Sequence, residues 1–127
     1  MHTNKPGLVA HWEVKFNKDH YIRVFIWESI ERLCEVNGIK KANGYARSTS
    51  HFINKKTGEH LFARKWGEIH LVAGQYGVGV AAHEIWHIIS FWAMAHDWNF
   101  KSQNERMARL IETVTRNFWN GHYKNFE

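Results

Sequence analysis

From Tyr76 to Asp97 the chain reads YGVGVAAHEIWHIISFWAMAHD, long enough for a helix of about five or six turns. Val78, Val80, Ala81, Ala82, Ile85, Trp86, Ile88, Ile89, Phe91, Trp92, Ala93 and Met94 make it apolar on nearly every side. Such a helix is expected to be buried, with the rest of the fold arranged around it. Charge and imidazole at its centre argue against a membrane span.

The polar residues in this segment form a pattern. His83-Glu84-Ile85-Trp86-His87 is an H-E-x-x-H sequence, and His83, His87 and Ser90 fall on one stripe. With ten histidines in 127 residues, about 0.06 accidental matches are expected, so chance is a poor explanation. Positions i and i+4 of a helix share a face, so two imidazoles there can grip one metal ion. Glu84, beside them, can act as general base on a metal-bound water. Buried imidazole and carboxylate are costly unless something satisfies them, and a divalent ion satisfies all three groups. The chemistry expected is zinc-assisted hydrolysis of a peptide bond, with Zn²⁺ as cofactor, His83 and His87 as ligands and Glu84 as catalytic base.

A catalytic zinc normally has three protein ligands and water. A third histidine ten positions after His83 would fall on Ala93, and His96 lies on the opposite side of the same helix. The following segment, Ser102 to Trp119, has an apolar helical stripe at Met107, Ile111, Val114 and Phe118, with Glu105, Ala108, Glu112 and Thr115 beside it. Glu105 and Glu112 therefore share a face next to the core. A steep helix crossing brings Glu105 to the metal, and a strictly antiparallel one brings Glu112. Ser102-x-x-Glu105 also reads as a capping box, which would use the same carboxylate differently.

His83-Glu84-x-x-His87 followed by Asn104-Glu105-x-x-Ala108 resembles the gluzincin metallopeptidases, in which the Glu of an N-E-x-x-[SA] element is the third zinc ligand. The pattern is similar to that of small zincin-like peptidases of bacteria and their phages. The likeness covers roughly residues 59–119, and Glu105, 18 positions after His87, is compactly placed for the group. The resemblance implies His83, His87 and Glu105 as zinc ligands, Glu84 as the activator of water, and a minimal zincin-like domain. In that domain a small, mostly antiparallel sheet packs on the buried motif helix with two further helices. It also implies extended peptides or proteins as substrates, added to a sheet edge.

The remaining pattern fits one α+β domain spanning 1–127. Leu8–Phe16 alternates as a half-buried strand, with Trp12, Val14 and Phe16 on one side. Asp19 is placed to cap a helix to about Val36, with Ile22, Ile26, Ile30 and Leu33 buried and Gly38 as its stop. Lys40–Tyr45 reads as loop. Ala46–Ile53 and Glu59–Lys65 read as strands about the turn 54–58, and Glu68–Ala73 as a third strand beside the site. Gly74, Gly77 and Gly79 mark the turn into the motif helix. His70, Tyr76, His122 and Tyr123 are side chains that could stabilise a developing oxyanion, with none singled out.

Cys34 is the only cysteine, so no intrachain disulfide forms, and the first residues carry no apolar signal region; a cytoplasmic protein without a membrane partner is expected. The net charge is +5. Between 40 and 65, Lys40, Lys41, Arg47, Lys55, Lys56, Arg64 and Lys65 stand against Glu59 alone, with the aromatics Tyr45, Phe52, Phe62 and, just beyond, Trp66 among them. This stretch supports a competing reading: a zincin-shaped binding protein whose basic hairpin holds nucleic acid or an acidic protein, with its metal structural or inactive.

Overall fold

Alternation governs the first two elements. The computed structural model describes residues 5–48, 51–53, 55–58, 60–62 and 64–126. Strand β1 spans Leu8–Lys15 and turns Trp12 and Val14 inward, as expected. The helix expected from Asp19 fails over its first half. Tyr21–Trp27 is strand β2, with Ile22, Val24 and Ile26 fully buried. The Ile22–Ile26 spacing of four suits a helix and a strand alike. Buried Val24 between them, in a run of β-branched and aromatic residues, decides for the strand. Only Ile30–Asn37 is helical (α1); Ser29 caps its start, and Gly38, at φ 66°, ends it where the sequence places the stop.

Strand β3 is Gly44–Ser48. Of the strand expected over Ala46–Ile53, residues 49–50 lie outside the described residues, and the two described parts belong to different sheets. His51–Ile53 (β4) and His60–Phe62 (β5) pair separately as a two-stranded ribbon, with Gly58 at φ +73° in its turn. Strand β6, Lys65–Val72, starts earlier than the sequence pattern suggests and is buried almost throughout. The main sheet runs β1-β2-β6-β3. Its β1–β2 and β6–β3 pairs are antiparallel, but β2–β6 is parallel, so the sheet is mixed. A parallel neighbour needs a long crossover, here supplied by α1 and the intervening strands.

Two helices complete the α+β fold: α2, Val78–Ala95, and α3, Phe100–Phe126. One face of the sheet (Val14, Ile22, Val24, Ile26, Ile69, Leu71) packs on Ile85, Ile88, Ile89 and Trp92 of α2 and on Met107, Val114 and Phe118 of α3. The α3 stripe is the one read from sequence. On the opposite face α1 covers Trp27 and Val72 with Leu33 and Cys34.

The expectation that α2 is buried all round is corrected. Val78, Trp86 and Met94 are 75%, 44% and 77% exposed. One sheet beneath and one helix alongside cover only part of a helix's circumference, and apolar composition does not guarantee burial. Among the described residues, no helix is long and apolar enough to cross a membrane.

Candidate metal centre

Helix α2 carries His83 and His87 on its outer side, one turn apart, as their spacing requires. The rings meet edge to face, and their Nε2 atoms lie 3.2 Å apart. Two Zn–N bonds of about 2.0–2.1 Å at the tetrahedral angle place their nitrogens about 3.3 Å apart. The separation is that of a hydrogen bond between the two rings, and it is also close to one edge of a zinc tetrahedron. His83 is exposed and His87 half-buried, so the edge opens to solvent.

Glu84, on the same helix, is only 6% exposed and lies deeper in the fold than the two imidazoles, within reach of their charge. Burial pushes its carboxyl above the ordinary value, and the neighbouring His83 and His87 oppose this in part. Its carboxylate rests against Gly44, the first residue of β3. Asn43, Gly44, Gly79, Val80, His83 and Glu84 line a cleft of about 310 Å³.

The strand beside this cleft is therefore β3, an edge strand, and not Glu68–Val72. Those residues lie in β6, between β2 and β3. Ile69 and Leu71 pack in the core under α2, while Val72 packs with α1 on the opposite face. Gly44 was missed in the sequence because nothing local distinguishes a glycine that opens a loop from one that makes room for a carboxylate.

Glu105 and Glu112 are not brought to the histidines. Glu105 is exposed and pairs with Arg109 Nε at 3.3 Å, and Glu112 pairs with Arg116 at 3.1 Å. Helix α3 runs along the flank of α2 where Ala82, Ile85 and Trp86 meet Ile111 and Thr115; Glu84 faces the other flank. Among the described residues no three His, Cys, Asp or Glu side chains form a metal-binding group. The capping box is also absent. Asn99 Oδ1 accepts from Lys101 N and Ser102 N at 2.7 and 3.3 Å, so the helix starts earlier and Ser102 lies within its first turn.

None of the four oxyanion candidates lines the Glu84 cleft. Tyr76 Oη and His122 Nδ1 bond each other at 2.6 Å, and the Tyr123 ring lies tilted against Trp119, centroids 6.2 Å apart. His70 is buried among Phe25, Trp27 and Glu68. Glu68 also bears on the basic stretch. Arg47 and Lys65, two of its cations, both pair with this buried carboxylate. No family model, no curated protein and no solved structure matches the chain.

Proposed function

We propose that the chain is a zinc-dependent peptide hydrolase of the HExxH type, with a small zincin-like arrangement about α2. The observation that carries this reading is the 3.2 Å separation of the His83 and His87 Nε2 atoms next to the buried carboxylate of Glu84. His83 and His87 would hold the ion, and a bound zinc would supply Lewis acidity toward a carbonyl and a water. Glu84 accepts the proton of the attacking water and returns it to the leaving amine. An extended peptide or protein substrate pairs with the open side of β3, which borders the cleft. Glu105 is the proposed third ligand. Its support is the Asn104-Glu105-x-x-Ala108 resemblance alone, and ligation would require its carboxylate to leave Arg109 and be carried toward the two histidines. We place this activity in the cytoplasm, in keeping with a sequence whose one cysteine, Cys34, leaves it without an intrachain disulfide.

The test is metal analysis joined to hydrolysis of an unfolded protein such as casein. Purified protein is expected to hold about one zinc per chain, and Glu84→Gln to keep the zinc while losing hydrolysis. Protein that takes up no zinc refutes the reading, and an active Glu84→Gln variant refutes the assigned base.

A further inference from the structure

Several glycines of this fold serve turns: Gly7, Gly38, Gly58 and Gly74 all have positive φ. Gly44 does not, so its backbone would accept an ordinary residue. What excludes a side chain there is space. A Cβ on Gly44 would lie 2.7, 3.2 and 3.3 Å from Oε2, Cδ and Cγ of Glu84, its three nearest neighbours. Gly67 and Gly121 are also crowded, but by a backbone carbonyl and an indole ring, which cannot move aside. The atoms crowding Gly44 belong to one flexible side chain. A substitution at 44 would therefore leave the fold standing and displace one carboxylate.

We infer that Gly44 is a positioning residue for Glu84: the bare backbone at the head of β3 is the seat of the carboxylate. This rests on the proposed hydrolase reading for its consequence, though not for its geometry. With Gly44 in place, the carboxylate stays in the cleft it shares with His83, beside the edge strand. A methyl at 44 drives it off this position while His83 and His87 keep theirs, because the three atoms nearest that methyl all belong to Glu84. Misplacing a catalytic group by about 1 Å can cost about 100-fold in rate. Gly44 thus acts on catalysis through Glu84 without touching the substrate itself.

The test is Gly44→Ala, examined as whole protein. The expected variant melts within a few degrees of the parent and binds the same amount of zinc. Its KM for a peptide substrate stays within about threefold, and its kcat falls by about 10- to 100-fold. A crystal structure of metal-free Gly44→Ala should show the Glu84 carboxylate displaced and the two Nε2 atoms still paired. In a Glu84→Gln background, Gly44→Ala should lower the residual rate no further. An unmoved carboxylate, or an unchanged kcat, overturns the inference. Should the parent protein hydrolyse nothing, the hydrolase reading falls, and the structural arm alone decides whether Gly44 seats Glu84. If Gly44→Ala does not fold, the double variant Gly44→Ala/Glu84→Ala decides. Its recovery supports a clash confined to Glu84, and its continued unfolding overturns the inference.

Discussion

Trp27 Nε1 donates a hydrogen bond to His70 Nδ1 at 2.9 Å, joining β2 to β6 on the sheet face opposite α2. The bond sets the tautomer. With Nδ1 accepting, the ring proton sits on Nε2, which donates to Glu68 Oε1 at 2.8 Å. Glu68 also receives Arg47 from β3, at 3.0 and 3.2 Å, and Lys65. Three strands are thus tied through two buried polar residues, His70 and Glu68, 3% and 5% exposed.

Removing the middle of this chain should be expensive. His70→Ala leaves Trp27 Nε1 without its acceptor, strips a donor from Glu68 and opens a cavity. A loss of about 2–4 kcal/mol is expected, read from urea unfolding. A change below about 0.5 kcal/mol would mean that the network is not a stabilising element.

The same network sets an acid limb. For His70, burial lowers the pKa below 6.5, and Glu68 only partly restores it. Its contribution to stability is complete above pH 6.5 and declines as pH falls below that value. For Glu68, burial raises the pKa, but the hydrogen bonds and charges of His70 and Lys65 outweigh it and hold the carboxyl well below 4.5. That contribution is complete above pH 4.5 and is lost on further acidification. Melting temperature should therefore drop in two stages. His70→Phe should flatten the stage just below pH 6.5, and Glu68→Gln the stage below pH 4.5. Parallel curves for parent and variants would contradict these assignments.

At the start of α3 the cap is Asn99, not Ser102. Asn99→Ala should cost about 0.5–2 kcal/mol, and Ser102→Ala should be nearly neutral. The reverse order, measured by thermal or urea unfolding, would restore the capping box.

Gly121 offers a prediction of sign. Glycine to alanine inside a helix normally gains up to about 1 kcal/mol. Here the added Cβ would lie 2.1 Å from Trp12 Cδ1, and Trp12 is only 7% exposed. Gly121→Ala should therefore destabilise, by about 1–3 kcal/mol. A gain in stability would show that α3 can shift away from β1.

For the metal, His83→Ala and His87→Ala should each weaken zinc binding beyond the 10- to 100-fold typical of losing a group behind a ligand. Isothermal titration supplies the reading. Under the proposed ligand set Glu105→Ala should weaken it too, and Glu112→Ala should not. Unchanged affinity in Glu105→Ala would remove it from the set.

The sequence by itself determined what short-range pattern can encode. Alternation announces β1, the 3.6-residue stripe of Met107, Ile111, Val114 and Phe118 announces α3, and Gly38 stops α1. The i, i+4 spacing that pairs His83 with His87 is likewise local, because one helical turn creates it. Tertiary structure alone decided the rest. Ile22 and Ile26 fit two periodicities, and pairing with β1 and β6 settled which applied. The parallel β2–β6 pair, the place of β3 at the edge, the flank of α2 that α3 occupies and the contact of Gly44 with Glu84 all join residues distant in the chain. The spacing of residues along one segment carries no record of which other segment will pack against it, so such relations exist only once the chain has closed on itself.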